Sequence, residues 1–231
     1  MRLAPIAAVA ALPLFLTACA SLSSPAQPAG SSASASPKSP DAGLLTGDQL
    51  KSKLEPSSWF PAGFSFDTQG AVDSGLAYQQ PSTSAAAPHC QNLNATAWIG
   101  LAGIGSVSFA ENDYLDQSTS EQYAQEIDVF QGTGAETAMA DLRKLARTCP
   151  SFKDSQTSSS VTVTLRPGPK LGDDSLGFRL SSPRWEGDTA LEAVRVGTAI
   201  VTVLYSADSG TGAAQATRLA TAVAGNLERK S

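Results

Sequence analysis

Between Ala20 and Pro40 the chain is almost wholly Ser, Ala and Pro, with Lys38 its only charge and Leu22 its only large aliphatic residue. Such a stretch has too little apolar surface to offset the entropy of ordering it, so it reads as a flexible tether. Folding is thereby confined to the chain beyond Pro40, a span suited to one domain with a sizeable core. We take 19–43 as a cysteine followed by the tether and 44–231 as the folded domain.

Residues 1–18 have the build of an export signal. Arg2 supplies the positive start, Ala4 to Leu16 a mostly apolar run broken by Pro5 and Pro13, and small residues precede Cys19. The run is too short to span the roughly 30 Å hydrocarbon layer as a permanent helix. Leu16-Thr17-Ala18-Cys19 resembles the lipobox of bacterial lipoproteins. That resemblance implies cleavage after Ala18 and a diacylglycerol thioether on Cys19. Its acyl chains, at about 0.8 kcal/mol per buried CH₂, would hold the chain on the outer face of the cytoplasmic membrane. An ordinary secretory signal ending in a chance cysteine is the alternative, and export follows under both.

With Cys19 set aside, Cys90 and Cys149 remain as an even pair in an oxidising compartment. A disulfide between them is the economical reading, two buried free thiols the other. His89 is the only histidine, and no ligand-spaced partner accompanies Cys90, so we expect no metal site and no cofactor. The formal net charge is −5, and one unit more negative once Arg2 leaves with the signal. No basic run or aromatic-basic stripe is present, so nucleic acid is set aside as a partner.

The pattern of elements points to an α+β domain, an antiparallel β-sheet packed with helices. Thr46 and Gln49 form a capping box that opens a short helix through about Leu54, ended by Pro56. One strand is expected near Phe64–Asp67 and another from Ser106. Leu93–Leu101 is ambiguous between helix and strand, and Ala124–Phe130 is strand-like. Ala135, Ala138, Met139, Leu142, Leu145, Ala146 and Cys149 form a helical stripe that Pro150 stops. Alternation then predicts strands around Val161–Leu165 and Leu176–Leu180. Ala190–Val196 and Ala199–Tyr205 read as a hairpin joined at Gly197-Thr198, with Ile200–Leu204 apolar on nearly both faces as suits a central strand. A final Ala-rich helix covers Ala213–Leu227.

The order of these features resembles a known family. Phe60-Pro61-Ala62-Gly63-Phe64, Cys90, Val129-Phe130 before a helix ending in Cys149, Leu171-Gly172-Asp173-Asp174-Ser175 and Val194-Arg195-Val196-Gly197 are similar to the actinobacterial lipoproteins related to the PknH-like extracellular sensor domain. The resemblance implies a disulfide-bonded α+β fold with a cleft for an extracellular signal. Two departures stand out: this chain shows no kinase domain or transmembrane helix, and it has cysteines for one bridge where the kinase sensor has two.

The function expected is therefore a lipid-anchored extracytoplasmic sensor or accessory domain of the cell envelope, monomeric and non-catalytic, binding an unidentified envelope ligand or protein. A structural or protein-interaction module in envelope assembly is the alternative, and an envelope hydrolase the second. Enzyme signatures are thin. Asp73-Ser74-Gly75 and Asp208-Ser209-Gly210 mimic the paired turns of aspartic proteases but read as ordinary turns. Gly172–Gly177 lacks the spacing of a nucleophile elbow, and Asp173 and Asp174 lack further ligands for calcium. For a ligand, pairing of 176–181 with 191–196 around Gly187 would set Arg179 opposite Arg195 beside Trp185, an arrangement suited to an anionic or sugar-like molecule. The competing reading has Glu126, Asp128 or Glu192 neutralise those arginines and Trp185 pack on its loop. Trp59 and Trp98 are assigned to the core.

Overall fold

The computed structural model describes residues 39–207, 210 and 212–229. The signal segment, Cys19, the tether as far as Lys38, and Asp208 and Ser209 lie outside the described residues. Strands β1 (Ser65–Asp73), β2 (Ser108–Asp116), β3 (Glu121–Val129), β4 (Ser151–Lys153), β5 (Ser160–Pro167), β6 (Asp174–Ser181), β7 (Thr189–Val196) and β8 (Ala199–Ser206) form one sheet in the order β1-β2-β3-β8-β7-β6-β5-β4. Every neighbouring pair is antiparallel. Helices α1 (Gly47–Lys51), α2 (Gly134–Thr148) and α3 (Gly212–Glu228) pack on its faces. The expected α+β class with a single disulfide is the fold observed.

The interior strands β7 and β8 are buried along nearly their whole length on both faces, which their almost continuous aliphatic sequence requires. Alternate residues feed two cores. One, with α1 and α3, holds Leu50, Tyr123, Ile127, Val203, Leu219 and Val223. The other lies against α2 and holds Trp98, Met139, Leu142, Phe178, Leu191 and Ile200. Each fully buried aliphatic side chain is worth about 1.5–3 kcal/mol relative to exposure. The α2 stripe is buried as its periodicity predicts. Trp98 is fully buried, whereas Trp59 is half-buried with the Arg218 guanidinium 4.5 Å over its ring.

Some local expectations need correction. Helix α1 carries its capping box, with Thr46 N donating to Gln49 Oε1 at 2.9 Å, but stops at Lys51 instead of Leu54. There the Ser52 hydroxyl donates to the Gln49 carbonyl at 2.6 Å and offers the backbone a local alternative. The ambiguous Leu93–Leu101 stretch is neither strand nor α-helix. It makes two 3-10 turns, Cys90–Asn94 and Trp98–Ala102, the second ended by Gly103 at φ 72°. Strand β1 runs longer than expected because an irregularity between Asp67 and Val72 lets it continue past Gly70.

Cys90 and Cys149 are bonded, with Cα atoms 5.5 Å apart and 59 residues between them in sequence. The bridge ties the first 3-10 turn to the end of α2. Closing a loop of that length stabilises the fold by about 4 kcal/mol in the chain-entropy view. The double variant Cys90→Ser with Cys149→Ser should therefore lose about that much unfolding free energy, measured by urea denaturation followed by circular dichroism. Reducing the wild type should reproduce the loss, and an unchanged midpoint would contradict this account.

Candidate functional site

Strands β6 and β7 do pair, but not around Gly187. Arg179 stands opposite Ala190, and Arg195 stands opposite Asp174. The connection closes earlier, where Trp185 N donates to the Ser182 carbonyl at 3.2 Å with Pro183 in the turn position its fixed φ favours. The centre of pairing moves by an odd number of half-steps, so Arg179 and Arg195 leave on opposite faces, five residues of register apart. Nor do Glu126, Asp128 or Glu192 pair with them. Arg179 Nε donates to Asp188 at 2.8 Å, and Arg195 lies 3.3 Å from Asp173. Asp174, at the start of β6, is gripped through both oxygens by Arg143.

Trp185 lines a shallow cleft of about 260 Å³ with Asp154, Asp188 and Thr189. Its indole N–H donates to Asp154 at 3.1 Å, and Asp154 also accepts from the Thr157 hydroxyl and the backbone N–H groups of Gln156 and Thr157. Those bonds, led by Thr157 and Trp185, hold the Asp154 carboxyl down at about 2. Asp154 is thus occupied in shaping its loop, and Trp185 anchors that loop. His89 is exposed at the entrance of the first 3-10 turn. Asp73 is engaged by Gly75 N–H at 2.8 Å and Lys51 at 3.1 Å.

A different constellation sits on β2 and β3. Glu111 and Glu126 are direct cross-strand partners, and Asp113 and Asp128 follow at i+2 on their own strands. Side chains two apart share a face, so four carboxylates project to the side of the sheet that carries the α2 core. Like charges directly opposite destabilise a sheet. All four are nonetheless buried: Glu111 is 8 % exposed, Asp113 5 %, Glu126 5 % and Asp128 4 %. One oxygen of each, Glu111 Oε1, Asp113 Oδ1, Glu126 Oε2 and Asp128 Oδ2, has no hydrogen-bond partner. Leaving a buried polar atom unpaired costs about 1–3 kcal/mol.

Burial comes from segment 79–107, which folds over this end of the sheet. Its two arms run back along each other through Gln79 N to Val107 O, Ser84 N to Gly103 O and Gly105 N to Ser82 O, at 2.7–2.8 Å. Leu93, Trp98, Ile99 and Ala102 root its middle in the α2 core, next to the Cys90–Cys149 bridge. Between cover and sheet lies a cavity of about 410 Å³, lined by Val72, Ile99, Ile104 and Phe109 and by the carboxylates of Glu111, Glu126 and Asp128. Gly70 of β1 lies over Asp113: a Cβ there would come within 2.7 Å of Asp113 Cβ and closer still to its carboxylate.

The electrostatics follow from desolvation. Burial, with Glu111 and Asp67 nearby, pushes Asp113 up to about 7, a little offset by the Thr96 hydroxyl. Burial raises Glu111 as well, again against Thr96. Glu126 is raised well above the usual carboxylate range by burial and by Asp128 and Glu111 beside it, and Asp128 is raised by burial against the Ser106 hydroxyl. On the opposite face Glu192 rises to about 7 through burial, with Arg166 opposing. In the sequence, acidic residues at i and i+2 of a strand read as a solvent face; only the cover reverses that sense.

No protein-family model matches the chain, and no curated protein matches it. Among solved structures it is similar to the extracellular domain of PknH from Mycobacterium tuberculosis, with a TM-score of 0.52 and 11 % identity over 80 % of this chain and 98 % of that one. It also matches an uncharacterized protein from Mycobacterium smegmatis at a TM-score of 0.42 and 11 % identity, covering 78 % and 97 %. At this identity the first likeness shows the fold, and it agrees with the PknH-like resemblance read from the motifs.

The raised carboxylates set a pH dependence. In the folded state they keep protons that the unfolded chain releases from about pH 4, so their stabilising effect is lost as pH rises toward about 7. Asp73, Asp116, Asp154 and Asp174 are held below the usual range, so their contribution is lost only on acidification below about pH 4. The melting temperature should be higher at about pH 5 than at about pH 7.5, and Glu126→Gln with Asp128→Asn should flatten the difference, both read by scanning calorimetry. A wild-type melting temperature that climbs over this interval would refute the assignment.

Proposed function

We propose that this chain is a lipid-anchored extracytoplasmic domain of the cell envelope, acting as a monomeric sensor or accessory protein that binds a small molecule in the cleft over β2 and β3. The observation that carries this reading is a cavity of about 410 Å³ lined by Glu111, Glu126 and Asp128, each more than nine-tenths buried and each keeping one oxygen without a hydrogen-bond partner. Groups left unpaired at a cost to folding, in a cavity of ligand size, are the usual mark of a binding site. Arg179, Arg195 and Trp185 have other partners, which favours this cleft over the one expected beside them.

Burial raises all four carboxyls, and the bond between Glu126 and Asp128 lifts the first further while easing the second down. We read the cleft as a binding site because the described residues lining it include no His, Cys, Lys or Arg to work with that pair. The envelope assignment is supported by the export signal and the Leu16–Cys19 motif. The Cys90–Cys149 disulfide fits an oxidising compartment. No helix among the described residues is long and apolar enough to cross a membrane. A protein-interaction role is the second reading, favoured by Phe66, Val72 and Leu76, which are 41 %, 47 % and 76 % exposed along and just beyond edge strand β1.

Two measurements test the proposal. Replacing Cys19→Ser should move the protein from the membrane pellet to the soluble extracytoplasmic fraction and abolish labelling by a fatty-acid probe; wild-type protein without label would remove the anchor. An ultrafiltered small-molecule extract of cell envelopes should raise the melting temperature of the wild-type domain and leave the Glu126→Gln, Asp128→Asn variant unmoved. An equal shift in both proteins would place binding elsewhere.

A further inference from the structure

The cleft's charge and shape narrow what it takes. Glu111, Glu126 and Asp128 line it, each more than nine-tenths buried and each keeping one oxygen without a partner. The groups facing them are acidic or neutral on every side. Strand β2 adds Asp113 one row along, β1 brings Asp67 close to Asp113, and the cover presents the Thr96 and Ser106 hydroxyls and Gln79. None of the described residues lining the cavity is basic. Two arginines on this side of the sheet are committed, Arg195 to Asp173 and Arg143 to Asp174. On the same face, β8 places Thr202 opposite Glu126, and its hydroxyl is also unpartnered.

Resting on the cleft reading above, we propose that the ligand is a small organic cation, an ammonium or guanidinium group on an apolar body, seated with its charge against Glu111, Glu126 and Asp128. Two considerations set simpler occupants aside. A neutral polyol forms only neutral hydrogen bonds with the acidic lining, whereas a cation forms charge-assisted ones with the ionised carboxylates. A bare metal ion would leave most of the 410 Å³ unfilled, while Val72, Ile99, Ile104 and Phe109 offer an apolar wall for a hydrocarbon body.

Binding displaces protons from the cluster. A cation selects the ionised carboxylates, which burial disfavours, so affinity grows as pH rises, about tenfold per pH unit for each proton released below the titration range of the cluster. Cadaverine and agmatine serve as probes, with pentanediol as the neutral comparator and calcium chloride as the metal comparator. Isothermal calorimetry on the folded, disulfide-bonded domain should give saturable binding of the amines at about pH 8, weaker by about tenfold or more at about pH 6, and none for the comparators. Glu126→Gln should lower amine affinity by at least about tenfold, since it removes a charge from the contact. The same substitution relieves buried repulsion, so the variant should stay folded by circular dichroism; Lys144→Ala, on the exposed side of α2, should bind as wild type.

Pentanediol or calcium binding that is lost in Glu126→Gln would overturn the cationic class and leave the cleft standing as a binding site. Failure of both amines while the envelope extract still shifts the melting temperature would do the same. Failure of every probe together with an inert extract would remove the cleft reading itself.

Discussion

The pairing of β3 with β8 holds this molecule together. Eight residue pairs, from Gln122 with Ser206 to Val129 with Ala199, join a three-stranded N-terminal part to a five-stranded C-terminal part. Neither half has a complete core without the other: Tyr123 and Ile127 share one cluster with Val201 and Val203, while Ala124 shares the other with Ile200 and Leu204. This long-range contact turns β3 from the last strand of a hairpin into the interior of a sheet. Once β3 is interior, its backbone is bonded on both edges, and the acidic face it shares with β2 is left for segment 79–107 to cover. The acidic cavity is therefore a consequence of where that cover meets the sheet.

The disulfide acts on a second level. It does not staple the sheet, whose strands are bonded to one another throughout; it fastens segment 79–107 by its middle to α2. That segment has no α-helix or strand of its own, only two 3-10 turns, one bridge between Thr83 and Ile104, and a few hydrophobic anchors. A ribbon of this kind loses much conformational entropy for few hydrogen bonds. A covalent tie beside Leu93 and Trp98 is what lets so irregular a piece of chain stay over polar side chains.

Much of the fold was legible because its signals are local. Alternation in Val161–Leu165, the two-faced apolar run of Ala199–Tyr205, the apolar stripe of α2, and the Thr46–Gln49 capping box each act within a few residues, and each appears where expected. The cysteine pair was legible by elimination. What failed was register: Pro183 sets the β6–β7 turn two to three residues before Gly187, and that shift scatters Arg179 and Arg195 to opposite faces. The candidate site was illegible for a further reason. Glu111, Asp113, Glu126 and Asp128 have the spacing of an ordinary wet face, and their burial depends on a cover drawn from an irregular stretch that no periodicity marks. The short strand β4 likewise owes its place to pairing with β5 and not to any pattern of its own.

Gly70 and Asp113 share one volume. The room a side chain would need at Gly70 is already filled by the Asp113 carbon skeleton, with a Cβ-to-Cγ approach of 2.6 Å. Overcrowding of that degree forces backbone shifts. The two positions are consequently linked in descent: homologous chains that keep the acid should keep the bare backbone across from it, whereas chains that lose the acid are free to keep the glycine.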